Sequence, residues 1–119
     1  MKKSIRKEVH EKFDGHCAYC GKTILYEDMQ VDHYIPKRSR EFCLDYSGKD
    51  DPINNITNLM PACRRCNHYK RSYSVEDFRK LIRTLHERIM KTYIAKVALD
   101  YGIITVNPHS GVFFFEKSE

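Results

Sequence analysis

Four of the five cysteines in this 119-residue chain fall into two pairs of identical spacing, Cys17-Ala-Tyr-Cys20 and Cys63-Arg-Arg-Cys66. A two-residue spacer lets both thiolates of a tight turn face one ion, and two such turns complete the tetrahedral, closed site that structural zinc prefers. In a reducing compartment this pattern indicates a metal before a disulfide. The two turns lie far apart in sequence, so the metal is expected to join the ends of a long excursion. A chain of this length builds only a modest core, to which such a staple adds. Cys43, in "EFCLDY", is left over and reads as a small buried hydrophobe.

Around the turns the periodicities change. Ile5, Val9 and Phe13 recur four apart, predicting a short amphipathic helix that Asp14-Gly15 stops. "TILYEDMQVDHYI" has two apolar runs around Glu27-Asp28 and predicts a β-hairpin ending near His33, with Pro36 blocking its extension. Residues 37 to 54 form a long polar loop, a length that in small domains is usually functional or mobile. "RRCNHYKRS" lacks Gly and Pro and predicts a short helix to about Ser72. Ser74 and Asp77 have capping-box spacing, and Phe78, Leu81, Ile82, Leu85 and Ile89 follow the 3.6-residue period, so a helix is expected to about Thr92. A further helical stretch should reach Asp100 and end at Gly102. "IITVNPHSGVFFFEK" predicts a second β-hairpin, whose three phenylalanines cannot all face one way.

Composition narrows the setting. A hydrophobic fraction of 41% is too high for a disordered chain. Lys and Arg outnumber Asp and Glu by 21 to 16, a balance of +5 that favours an anionic partner. No apolar run approaches the roughly 20 residues needed to span a bilayer, and the basic N-terminus runs into amphipathic sequence. The expectation is a soluble, cytoplasmic protein with no membrane partner.

Taken in order, "CAYCG", "VDHYIPKRS", "NITNLMPACRRCN" and the following "HYK" resemble the HNH endonuclease family over residues 1 to about 73. The resemblance implies an α+β chain with a ββα-metal (HNH) fold and a structural zinc knuckle pair, to which the C-terminal helix and β-hairpin are added. In domain terms, residues 1–73 would be the nuclease core and 74–119 a helical and hairpin extension packed on it, a single domain overall.

Carried over residue by residue, the resemblance makes His33 the general base and Asp32 a metal ligand. Asn58 becomes the asparagine that holds the histidine-bearing loop, and Asn67 the second metal ligand. Some relatives supply a further histidine where this chain has Arg71. The cofactors implied are zinc on Cys17, Cys20, Cys63 and Cys66, and Mg²⁺ or Mn²⁺ on Asp32 and Asn67. The chemistry gives independent reasons for these residue types. An imidazole titrates near neutrality and suits a base, and a hard ion prefers carboxylate and amide oxygens while thiolates take zinc. Neighbours on a regular strand point to opposite faces, so Asp32 and His33 converge only if the strand bends.

Lys37, Arg38 and Arg40 on one side, and Arg64, Arg65, His68, Lys70 and Arg71 on the other, are expected to hold DNA phosphates without reading bases. His16 competes weakly as a metal ligand; His10, His86 and His109 read as surface or packing residues. The resulting function is metal-dependent hydrolysis of DNA phosphodiester bonds, one nick per active site, with room for a homodimer or a phage or defence protein as a further partner. The rivals are a non-catalytic zinc-knuckle module that binds nucleic acid or protein, and a nuclease directed at RNA.

Overall fold

The computed structural model describes residues 2–36 and 54–117. Cys43, Lys37, Arg38, Arg40 and the expected long loop therefore lie outside the described residues. The chain divides into two compact units, Met1–Val75 with Phe113–Glu119, and Glu76–Val112.

The first unit opens with helix α1 (Lys3–Glu11), which buries Val9. Asp14 and Gly15 then take φ of 53° and 79°, the left-handed conformation that ends the helix at the expected place. Strand β1 (Gln30–His33) pairs antiparallel with β2 (Leu59–Ala62), Asp32 opposite Met60 and His33 opposite Leu59. Helix α2 (Arg64–Lys70) follows at once, with Cys63 Sγ accepting from the Cys66 amide at its start.

The hairpin expected within residues 23–35 does not form. Tyr26–Asp28 is a single 3-10 turn, and β1 takes its partner from the segment before the second knuckle. All four residues of β2 are buried, so pairing there covers far more apolar surface than a local turn could.

The expected C-terminal hairpin is also absent. Among the described residues, 103–113 form no strand, and Phe114–Lys117 is a single helical turn, α6. The phenylalanines are spent on the first knuckle. The Phe114 and Phe115 amides donate to the Tyr19 and Ala18 carbonyls at 3.0 and 2.8 Å, and Phe113 and Phe115 meet the Tyr19 ring edge-on at 5.3 and 6.1 Å. Aromatic packing of this kind outweighs the β preference of a short run.

Gly21, directly after the first cysteine pair, has φ of 83°, and a Cβ there would stand 2.6 Å from Phe114 Cδ1. Gly21→Ala is expected to destabilise the protein by about 1–3 kcal/mol, from backbone strain and displacement of that ring. Denaturant unfolding would measure it; a loss below about 0.5 kcal/mol would contradict the clasp between the knuckle and Phe114.

In the second unit, the helix expected as far as Thr92 is broken. Helix α3 (Val75–Arg83) ends where Thr84 Oγ1 donates to the Lys80 carbonyl at 2.8 Å, and α4 (Leu85–Met90) starts afresh. A threonine hydroxyl bonded back four residues bends a helix, and apolar periodicity does not register it. Helix α5 (Tyr93–Asp100) is capped by Thr92, and Gly102 follows with φ of 71°. His86 and His109 border an apolar cavity of about 420 Å³ within this unit.

Candidate active site

The four cysteines converge. Cys17 and Cys63 are buried, Cys20 is exposed, and the four Sγ atoms all lie within 4.8 Å of one another. Ligands at about 2.3 Å from one tetrahedral ion stand about 3.8 Å apart. Cys20 Sγ lies 3.9 Å from Cys63 Sγ, so the cluster is positioned to hold a metal ion. A hydrogen bond from Cys66 pulls the Cys17 thiol down to about 4. The same bond and burial push Cys66 far up, and burial raises Cys20.

On the other side of Tyr19, a cavity of about 240 Å³ is bordered by Asp32, His33, Asn67, Lys70 and Arg71, among others. Strand β1 keeps regular pairing through Asp32 and His33, and the bend comes after them, at Tyr34–Ile35. Strand β1 stops at His33, and Asn58 seizes the next two residues: its carbonyl accepts from the Tyr34 amide at 2.8 Å, its Oδ1 from the Ile35 amide at 2.7 Å, and its Nδ2 donates to the Ile35 carbonyl at 3.1 Å. The Asn58 segment is in turn fastened to the chain just after α1, where Lys12 Nζ donates to the Ile56 and Leu59 carbonyls at 3.1 and 2.9 Å. Burial pulls that ammonium below its ordinary range.

Asp32 is 5% exposed. Its Oδ2 accepts from the Tyr19 hydroxyl at 2.5 Å and is paired with Lys70 Nζ at 3.0 Å; among the described residues Oδ1 has no partner. The Asn67 side-chain amide likewise makes no hydrogen bond among them. His33 is half-buried, with Nε2 2.9 Å from Asn54 Oδ1. As a donor to that oxygen, Nε2 carries the ring proton and Nδ1 keeps its lone pair.

Of the residues expected to contact phosphate, Lys70 lies inside the fold. It is fully buried, and its ammonium is consumed by Asp32 and by the His33 carbonyl at 3.1 Å. The reason is its place on the last turn of α2, facing β1, where a buried carboxylate demands a cation. Arg71, beside the cavity, is exposed and ends α2 with φ of 53°, a conformation costing about 1–3 kcal/mol in a non-glycine residue. Arg64 and His68 are exposed and, with Arg65 and Lys22, surround a separate depression. Sequence reasoning missed Asn54, Lys12 and the polar role of Tyr19, for which no local pattern gives a signal.

Together, a cysteine cluster joining β2 and α2 to an N-terminal knuckle, and an Asp-His pair at the end of β1 facing α2, make up a ββα-metal arrangement. Residues 17–72 match the family model described as HNH endonuclease. The SPbeta prophage-derived protein YoqL of Bacillus subtilis, named as an HNH endonuclease, is 32% identical over 69 residues, 56% of this chain and 27% of YoqL. The CRISPR-associated endonuclease Cas9 of Corynebacterium diphtheriae is 32% identical over 54 residues, 45% of this chain and 4% of that protein. Among solved structures, the Type II-C Cas9 enzyme of Actinomyces naeslundii aligns with a TM-score of 0.49 at 23% identity, over 82% of this chain and 10% of that one. The chain thus spans just over a quarter of YoqL and a small part of either Cas9. No helix among the described residues is long and apolar enough to cross a membrane.

Proposed function

We propose that the chain is a small metal-dependent endonuclease that hydrolyses DNA phosphodiester bonds one strand at a time, with zinc held by Cys17, Cys20, Cys63 and Cys66 as scaffold. The observation that carries this reading is the single cavity bordered by Asp32, His33 and Asn67, residues brought together from β1 and α2. Binding alone does not require an unpaired carboxylate oxygen, an amide and an imidazole around one space.

Asp32 Oδ1 and the Asn67 amide oxygen are hard donors of the type Mg²⁺ or Mn²⁺ takes, and would hold such an ion against a phosphate. When bound, the ion supplies neutralisation of the charge that accumulates on the phosphoryl oxygens. His33, fixed through Nε2 by Asn54, takes a proton from the attacking water at Nδ1. Asn58 keeps the imidazole in place by holding Tyr34 and Ile35. Lys70 offsets the buried charge of Asp32 and lowers the attraction of the site for cations, so water and phosphate oxygens must complete the coordination of any ion there.

Supercoiled plasmid incubated with purified protein, with and without Mg²⁺, tests the reading: nicked circles only with metal are expected, and intact plasmid under both conditions would overturn it. One site makes one nick, so cutting both strands requires a second copy, a partner or a second encounter.

Arg64, Arg65, His68, Lys22 and Arg71 then serve as phosphate contacts. Because such contacts release counterions, affinity should fall steeply with salt, and Arg64→Ala combined with Arg65→Ala should flatten the log–log slope by about two units. An unchanged slope would move the DNA path away from this face.

A further inference from the structure

We propose that Tyr19 is a positioning residue for Asp32, through which the first cysteine knuckle sets the affinity of the active site for its divalent ion. The inference rests on Asp32 being a metal ligand, as argued above. Tyr19 lies between Cys17 and Cys20, is 3% exposed, and reaches Asp32 Oδ2 with its hydroxyl at 2.5 Å. The carboxylate oxygen accepts, so the hydroxyl is the donor of this bond. Lys70 Nζ takes the same oxygen at 3.0 Å.

Two donors on one carboxylate oxygen have a specific consequence. They fix the plane of the group and leave Oδ1 bordering the cavity. Without the phenol, Oδ2 keeps Lys70 alone, and the carboxylate is free to turn both oxygens to the ammonium. A metal would then have to compete with Lys70 for its ligand. The tyrosine itself is held from behind by the edge-on rings of Phe113 and Phe115 and by the Phe114 amide on its carbonyl. The structural cluster and the active site therefore share a rigid side chain.

A packing role alone would make Tyr19→Phe cost stability and nothing else. Positioning makes a different demand: ligand-orienting hydrogen bonds typically change metal affinity by about 10- to 100-fold when removed. The experiment uses full-length, zinc-loaded protein and two readouts, Mn²⁺ binding followed by electron paramagnetic resonance and the Mg²⁺ dependence of plasmid nicking.

Tyr19→Phe is expected to keep one zinc per chain, to weaken Mn²⁺ binding by about 10- to 100-fold, and to raise half-saturating Mg²⁺ by a similar factor. The rate at saturating metal should stay within about threefold of wild type, since second-shell loss acts on affinity. Mn²⁺ affinity unchanged within about twofold would overturn the proposal, as would a rate loss that metal does not restore. Should Tyr19→Phe lose zinc, 4-fluorophenylalanine at position 19 fills the place of the hydroxyl without a donor, and an unaltered Mn²⁺ affinity there would overturn it equally. Wild-type protein that binds Mn²⁺ but nicks nothing would sink the nuclease reading and leave this inference standing. Wild-type protein that binds no Mn²⁺ would sink the metal assignment, and Tyr19 with it.

Discussion

His33→Ala is expected to lower the plasmid-nicking rate by about 10² to 10⁴, the usual effect of removing a positioned general base, while zinc content, fold and DNA affinity stay close to wild type. The geometry explains why the loss should be confined to chemistry. His33 is half-buried at the end of β1, its ring bonds to Asn54, and its carbonyl, which Lys70 needs, survives the substitution. Added Mn²⁺ should not rescue the variant. Asn67→Ala should respond to extra metal, since its amide is a proposed ligand with no other bond among the described residues. Asp32→Ala is a poor comparison, because it strands the fully buried Lys70 without its counter-charge, a change costing about 3–5 kcal/mol. A His33→Ala protein that nicks at the wild-type rate would remove the histidine from the mechanism.

Cys63→Ser should abolish both zinc binding and cooperative unfolding. Structural zinc contributes about 10–16 kcal/mol to small finger peptides, whereas an entire domain is stable by only about 5–15 kcal/mol. In this chain Cys63 is also the residue that caps α2, so one substitution removes a ligand and the acceptor for the Cys66 amide. Loss of the cluster would free the knuckle that carries Tyr19 from the strand and helix that carry Asp32 and Lys70. Metal analysis should find about one zinc per wild-type chain and none in the variant. Calorimetry should show a single transition in the first and none in the second. Cys43→Ser should change neither, and a zinc loss there would mean that the ligand set is wrong.

Much of the site was legible before any coordinates, because spacing encodes what lies within one turn or one helix. Two Cys-x-x-Cys pairs dictated that four thiols would meet, and they do. Pro36 marked the end of the strand, and the chain bends just before it, at Tyr34–Ile35, where Asn58 holds it. The period of Phe78, Leu81 and Ile82 marked α3, and Asp14-Gly15 marked the end of α1. These are consequences of backbone geometry, side-chain reach and ligand preference, which act locally and need no knowledge of what lies opposite.

What lies opposite was decided by tertiary structure alone. The sequence offered β1 a local partner, but the strand took β2, because closure of a longer loop costs little more entropy while the buried Leu59–Ala62 segment covers more apolar surface. Lys70 read as one more cation for DNA, and only its position across from a buried carboxylate turned it inward. The run of phenylalanines read as a strand, until the edges of the Tyr19 ring gave it a better surface. Tyr19 itself was the spacer between two ligands; its hydroxyl acquired a function because folding placed Asp32 within its reach. A side chain's type is written in the sequence, but whether its charge, ring or hydroxyl faces water or a partner depends on segments dozens of residues away, and only the folded chain brings them together.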